Sequence, residues 1–187
     1  MRIITGSAKG TRLLSPKNDG TRPTADRIKE SVFNILGDRV RERVVLDLFS
    51  GTGNLGIESL SRGAKSATFI DFATDKLIRE NLKRAHLEEK GEVFRADVFK
   101  KLKTFEAKRR EFDLIFIDPP YFKNLSQKTM EFLNFSPIFS GNGIIVVEYG
   151  IGEKFSNYDK LENFRDVAYG KTTGVSLWMR VGGDETK

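Results

Sequence analysis

Residues 45–64 read VLDLFSGTGNLGIESLSRGA. A short apolar strand containing Asp47 leads into a turn with Gly51 and Gly53, and a helical pattern then runs to Gly63. Glycine tolerates positive φ and lets the backbone approach a ligand, while the unpaired N–H groups of a helix start face such a turn. The segment therefore predicts a strand, a turn and a helix, with a ligand lying across the turn.

The same alternation of strand and helix patterns continues on the C-terminal side of this unit. Apolar runs separated by helical segments are RVVLDLF, SATFID, GEVFRAD, FDLIFID and GIIVVEY. Strands separated by helix-length connections predict a parallel sheet with helices on both faces. Residues 161–180 instead read as two strands around a Lys-Thr-Thr-Gly turn, which predicts an antiparallel pair at the edge of the sheet.

The N-terminal quarter differs in composition from the rest of the chain. The runs RIITG and TRLLS predict a small hairpin, and residues 24–36 predict a helix with Thr24 as its N-cap. Residues 1–45 contain ten basic and five acidic side chains, in a chain whose net charge is +6. A solvated surface is one interpretation of this excess, and an RNA or DNA contact is the one we favour.

These patterns divide the chain into a basic hairpin and helix at residues 1–42 and an α/β domain at residues 43–187. We expect the α/β domain to fold and bind its ligand without residues 1–20. The absence of cysteine excludes disulfides and thiolate chemistry, and a single histidine, His86, excludes a multi-histidine site, so no metal is expected. Without an apolar run of about 20 residues, the chain predicts no membrane partner and a cytoplasmic location.

Acidic residues end three of the predicted parallel strands or lie within them. Asp47 would repel the pyrophosphate of a dinucleotide, the usual ligand of a glycine-rich turn, and suits a cationic group instead. Asp71 follows the glycines by about twenty residues, where an acid can accept ribose hydroxyls. Asp97 is placed to accept an exocyclic amino group of adenine. For any one of these acids, a helix N-cap is the alternative interpretation.

The segment FIDPPYF, residues 116–122, ends a predicted strand on Asp118, two prolines and an aromatic residue. Neither proline has an N–H for the strand ladder, so the chain must turn here. A plain strand exit and a rigid functional corner are both consistent with this pattern.

Taken together, the motifs D-x-F-x-G-x-G, FID, RAD and DPPY resemble the class I S-adenosylmethionine-dependent methyltransferases. The resemblance implies a Rossmann-like α/β fold with a mostly parallel seven-stranded sheet, an antiparallel edge pair, and helices on both faces beside the N-terminal appendage. It implies S-adenosyl-L-methionine as cofactor. The implied cofactor contacts are Asp47, Phe49, Ser50, Gly51, Gly53, Asp71, Asp97 and Val98.

In these enzymes a D-P-P-Y corner binds a planar amine. The resemblance implies that Asp118 and the Pro119 carbonyl accept the hydrogens of that amine, that Pro120 keeps the corner rigid, and that Tyr121 stacks on the base. Because the ring face does the stacking, Tyr121→Phe is expected to keep most activity.

A narrower resemblance runs from residue 2 to about residue 180. GSAKGTRLLSP, TRPTADRIKESVFNIL, the glycine turn and DPPY, in this order, resemble bacterial 16S rRNA guanine-N2 methyltransferases of the RsmD type. This family modifies guanine 966, which implies 16S ribosomal RNA or a small-subunit assembly intermediate as partner, with the enzyme a monomer. The implied RNA contacts are Arg12, Arg22, Thr24 and Arg27.

Two features depart from that family or stay without a role. Asp71 stands where relatives often have glutamate, which shortens the ribose acceptor by one methylene. Glu148, at the end of VVEY, is interpreted as a structural cap or loop contact. The alternatives to this enzyme are an adenine-N6 or glutamine methyltransferase and a non-catalytic RNA-binding protein of the same fold.

Overall fold

The computed structural model describes residues 1–16 and 23–182. The helices are α1 Pro23–Leu36, α2 Asn54–Ser61, α3 Asp75–Arg84, α4 Val98–Ala107 and α5 Leu125–Phe135. The strands are β1 Val44–Leu48, β2 Ser66–Asp71, β3 Gly91–Arg95, β4 Phe112–Ile117, β5 Phe139–Gly150, β6 Leu161–Tyr169 and β7 Thr173–Arg180. Short 3-10 turns occupy Gly37–Val40 and Glu88–Lys90.

These strands form a seven-stranded sheet of order β3-β2-β1-β4-β5-β7-β6. The pairs β1–β2, β2–β3 and β4–β5 are parallel, whereas β7 runs antiparallel to both β5 and β6. The predicted mostly parallel sheet with an antiparallel edge pair is confirmed.

The chain divides into two compact units, Met1–Val98 and Phe99–Lys187. The strand residues Leu46 and Phe69 are fully buried in the first unit, and Phe116 and Leu177 are fully buried in the second. Such near-continuous apolar runs are typical of strands covered on both faces. The predicted domain boundary at residue 42 lies inside the first unit and stays a prediction.

The predicted N-terminal hairpin is present. Arg2 pairs with Arg12 in an antiparallel bridge, and the Ile3 N–H donates to the Thr11 carbonyl at 2.9 Å. Leu13, like Ile3, is buried in the core. On the edge of this hairpin, the Ile4 N–H donates to the Glu58 carboxylate of α2 at 2.8 Å. Removing residues 1–20 would expose the apolar surface under Ile3 and Leu13 and take backbone donors away from Glu58. The expectation of a folded core without these residues stays a prediction.

Helix α1 begins at Pro23, so Thr24 lies in its first turn and the prediction of Thr24 as the N-cap is wrong. Proline is favoured at the first helical position because its φ is already helical and its missing N–H would have no partner there. The apolar face of α1 is buried as the periodicity predicts, with Ile28, Val32 and Phe33 in the core.

Candidate active site

The turn after β1 is built from left-handed residues. Phe49, Gly51 and Gly53 have φ values of 59°, 54° and 77°. The Ser50 hydroxyl donates to the Asp47 carbonyl at 2.6 Å and accepts the Ile70 N–H at 3.0 Å. Ser50 was predicted as a cofactor contact. Its hydroxyl instead connects the turn to β1 and β2 through these two hydrogen bonds.

Asp47 is 2% exposed, and its Oδ2 accepts the Gly56 N–H at 2.9 Å. Burial raises the pKa of Asp47 to about 8; the Gly56 hydrogen bond opposes this rise and the neighbouring charge of Asp71 adds to it. The carboxyl is therefore mostly protonated at neutral pH in the absence of a cation. A cationic group brought next to it would favour ionisation. That Asp47 binds such a group stays a prediction.

Gly56 is a site residue that the sequence reasoning missed. A Cβ at this position would lie 2.3 Å from Phe69 Cε1 and 3.1 Å from Asp47 Oδ2. Glycine thus lets α2 approach both the sheet and the buried acid. The signal was present, because Gly51, Gly53 and Gly56 have the G-x-G-x-x-G spacing whose third glycine permits close helix–strand packing.

Asp71 ends β2 and organises the backbone around it. Its Oδ2 accepts the Gly51 N–H at 3.0 Å, and its Oδ1 accepts the N–H groups of Ala73 and Thr74 at 2.8 and 3.0 Å. The N-cap position of α3 is Thr74, so these bonds form a turn before the helix and Asp71 is not its N-cap. A carboxylate has about four lone-pair sites, so Oδ2 keeps capacity for one further donor such as a hydroxyl.

Asp97 and Val98 lie at the junction of β3 and α4. Val98 is the first residue of α4 and is 5% exposed, and Asp97 precedes it directly and is exposed. Asp97 thus lies directly before the first residue of α4 with its side chain exposed, and its role as a cofactor contact or as a helix cap stays a prediction.

Lys29, on α1, is a buried cation that the sequence did not single out. Its Nζ donates to the Arg2 carbonyl at 2.6 Å and to Asn54 Oδ1 at 2.7 Å, and lies 3.1 Å from Glu58 Oε2. Burial lowers the pKa of Lys29, whereas Glu58 opposes this effect. Asn54 is the first residue of α2, so Lys29 ties the N-terminal hairpin to the helix that follows the glycine turn.

In the second unit, β4 ends at Ile117 and the D-P-P-Y corner follows. Asp118 and Pro120 are exposed, Pro119 is buried and Tyr121 is partly buried. The Tyr121 hydroxyl donates to Glu148 Oε1 at 2.5 Å and lies 3.4 Å from Thr173 Oγ1. The corner is therefore tied to β5 and β7 as well as ending β4.

The Tyr121–Glu148 contact changes both pKa values. Burial, with the hydrogen bond to Glu148, raises the pKa of Tyr121, so the phenol stays protonated at physiological pH. Burial raises the pKa of Glu148 as well, and the bond from Tyr121 opposes that rise. No sequence pattern joins these residues, because only the pairing of β5 with its neighbours brings Glu148 to the corner.

This contact predicts thermodynamic coupling between Tyr121 and Glu148. We expect Tyr121→Phe and Glu148→Gln each to lower the free energy of unfolding by about 1 to 3 kcal/mol, because each leaves a partly buried group without its hydrogen-bond partner. The double variant should cost clearly less than the sum of the two, as measured by denaturant unfolding. Additive costs would show that the hydroxyl does not depend on Glu148.

The predicted RNA contacts are described only in part. Arg12 and Arg27 are both exposed. Arg22 lies outside the described residues, and of Thr24 only the position in α1 is described. Among residues 1–16 and 23–182, no cluster of acidic or histidine side chains suited to a metal occurs, and no helix is long and apolar enough to cross a membrane.

The sheet order, the glycine turn after β1, the acids at the ends of β2 and β3 and the D-P-P-Y corner after β4 together define a class I methyltransferase. The chain belongs to the family described as "Conserved hypothetical protein 95", whose profile matches residues 1–178. The family resemblance predicted from the motifs is thereby confirmed.

Individual relatives agree with this assignment. The chain is 34% identical over 185 residues to "Putative rRNA methyltransferase YlbH" of Bacillus subtilis, covering 97% of this chain and 100% of that protein. It is 35% identical over 152 residues to "Ribosomal RNA small subunit methyltransferase D" of Haemophilus influenzae, covering 79% and 78%. The solved structure "Putative methyltransferase yhhF" from Escherichia coli has a TM-score of 0.81 at 28% identity, covering 96% and 97%.

Proposed function

We propose that this protein transfers a methyl group from S-adenosyl-L-methionine to the exocyclic N2 amine of a guanine in 16S ribosomal RNA, at guanine 966 by family resemblance. The observation that carries the proposal is the D-P-P-Y corner, in which Tyr121 is fixed by Glu148 while Asp118 is exposed after β4. The names of the two relatives support ribosomal RNA as the substrate class.

The first unit supplies the groups that would hold the cofactor. When bound, S-adenosyl-L-methionine supplies a methyl group activated by a cationic sulfur. Asp47 suits the cationic methionine part because a nearby positive charge favours ionisation of its buried carboxyl. Asp71 has capacity for one ribose hydroxyl beyond its three backbone partners. The remaining proposed contacts are Phe49, Ser50, Gly51, Gly53, Asp97 and Val98.

The second unit supplies the groups for the acceptor amine. The lone pair of an aryl amine is delocalised into its ring, so attack requires the nitrogen to rehybridise. Acceptors that hold its two hydrogens favour this change, and we assign them to the Asp118 carboxylate and the Pro119 carbonyl. Pro120 limits movement of the corner, and the Tyr121 ring stacks on the base. The amine becomes acidic only after it has accepted the methyl group, so no strong general base is needed.

The basic N-terminal segment supports a phosphate contact by Arg12 and Arg27, and it predicts a salt effect. We expect the double variant Arg12→Gln/Arg27→Gln to reduce the slope of log K against log salt concentration by roughly 1 to 2, because each lost phosphate contact releases one counterion fewer. Filter binding to small ribosomal subunits over a salt series measures this slope. Lys103→Gln/Lys108→Gln removes the same charge from two other exposed positions and serves as the control. Equal slopes for the two double variants would refute a specific role for the N-terminal arginines.

The direct test of the proposed function is methylation and mapping. Small subunits purified from a strain lacking the gene are incubated with the protein and labelled S-adenosyl-L-methionine, and the labelled nucleotide is then identified. A single N2-methylguanine in 16S RNA is expected. Label on adenine N6 would establish the adenine alternative, and cofactor binding without RNA labelling would favour a non-catalytic protein.

A further inference from the structure

Phe122 follows the D-P-P-Y corner directly, and its ring is exposed. The residue is 71% exposed. Its φ of 59° is left-handed, a conformation that is unfavourable for a bulky side chain. Such backbone strain persists only where surrounding contacts impose it, and it is concentrated at ligand sites. Phe122 therefore exposes an apolar ring to solvent, and its backbone is held in a conformation that the residue would not adopt alone.

The contacts that impose this conformation come from Glu153, just beyond β5. Its Oε1 accepts the Phe122 N–H at 3.1 Å, and its Oε2 accepts the Gly150 N–H at 2.9 Å. The Glu153 N–H in turn donates to the Gly150 carbonyl at 2.9 Å. One carboxylate thus clamps the backbone of Phe122 to the end of β5.

The Phe122 ring lies against the backbone of two glycines, Gly150 and Gly152. A Cβ at Gly150 would lie 2.7 Å from Phe122 Cζ and 3.2 Å from Tyr121 Cβ. Gly152 is close as well, since a Cβ there would lie 4.0 Å from Phe122 Cε1. A side chain at Gly150 would collide with the ring, so glycine at this position leaves the space that the Phe122 ring occupies.

The Phe122 ring is nearly perpendicular to the neighbouring ring of Tyr121. The two centroids are 6.4 Å apart and the planes meet at 89°. A planar base that lies flat on Tyr121 meets Phe122 edge-on, so it cannot stack on both rings. A ligand stacked on Phe122 is therefore a second planar group, next to the one assigned to Tyr121.

We propose that Phe122 is a stacking platform for an unpaired nucleobase that neighbours the target guanine in the RNA. The inference rests on the proposed function, which places an RNA base on Tyr121. Proteins read RNA mainly through splayed bases stacked on aromatic side chains, and one clamped, exposed ring beside the target base has that form. The exposed Lys123, directly after Phe122, favours a nucleic acid over an apolar protein surface as the occupant.

Binding of small ribosomal subunits from a strain lacking the gene tests this inference without requiring methylation. Phe122→Ala should weaken binding by about 5- to 100-fold, the range for loss of one base–aromatic stack. Phe122→Tyr keeps the ring face and should bind as the wild type does, whereas Phe122→Leu keeps apolar volume without the ring and should resemble alanine. Phe135→Ala removes another exposed phenylalanine, 63% exposed, and is the matched control.

Wild-type binding by Phe122→Ala, or full retention of binding by Phe122→Leu, would overturn the platform, and the second result would indicate apolar docking instead. A separate arm uses a synthetic RNA carrying an abasic nucleotide beside the methylated guanine. Two such RNAs are compared, one with the abasic nucleotide on the 5′ side of the guanine and one with it on the 3′ side. On one of them Phe122→Ala should bind as tightly as the wild type. A loss of affinity by Phe122→Ala that persists on both RNAs contradicts the inference. Failure of the proposed function would appear separately, as absence of methylation by the wild type.

Discussion

Asp118→Ala is expected to reduce single-turnover methyl transfer to RNA by several orders of magnitude while changing cofactor affinity little. The Asp118 carboxylate is assigned to hold a hydrogen of the acceptor amine, an interaction that strengthens as the nitrogen rehybridises in the transition state. Losing it therefore lowers the rate of the chemical step rather than ground-state binding. Rapid-quench measurement with saturating labelled S-adenosyl-L-methionine gives the rate, and titration calorimetry gives the cofactor affinity.

The exposed Asp159 of the same unit provides the control, because Asp159→Ala removes an equal charge away from the corner. Asp118→Asn keeps an acceptor oxygen, so it should fall between alanine and the wild type. A folded Asp118→Ala enzyme that transfers methyl groups at the wild-type rate would reduce D-P-P-Y to a strand exit, the alternative that the sequence left open.

Asp47→Asn should weaken cofactor binding by more than tenfold and yet stabilise the cofactor-free protein at pH 8. Folding raises the pKa of Asp47 from 3.8 to about 8 because the carboxyl is buried. Its contribution to stability is therefore fully present below about pH 4 and is lost as the pH rises to about 8. Asparagine cannot ionise and avoids this loss, which is on the order of 5 kcal/mol at about pH 8.

Denaturant unfolding at pH 4 and pH 8 measures the effect, and the two proteins should differ little at the lower pH. The asparagine amide still offers an oxygen to the Gly56 N–H, so the backbone contact at 2.9 Å can be kept. Asp38→Asn, at an exposed position of the same unit, should change stability at neither pH. Lower stability of Asp47→Asn at pH 8 would show that the carboxyl is ionised and stabilised in the empty protein.

Local patterns were sufficient to predict the fold. Apolar runs such as FDLIFI and the helical periodicity of α1 depend on neighbours in the chain, so the strands, helices and antiparallel edge pair follow from residues close in sequence. The glycine turn and the acid of β2 are likewise local, because a positive φ and a strand end are properties of a few consecutive residues. The start of α1 was misplaced by one residue, since Pro23 takes the first helical position.

Contacts between residues distant in sequence could be identified only from the folded structure. Glu58 receives the N-terminal backbone and Lys29, and Glu148 receives the Tyr121 hydroxyl across 27 positions. A buried polar group needs a partner, and the partner is selected by how strands and helices pack rather than by spacing along the chain. The same packing determines that Asp47 is buried enough to stay protonated, a property that its residue type alone opposes. Phe122 shows the difference most clearly, since its exposure, strain and support by Gly150 exist only after β5 has returned beside β4.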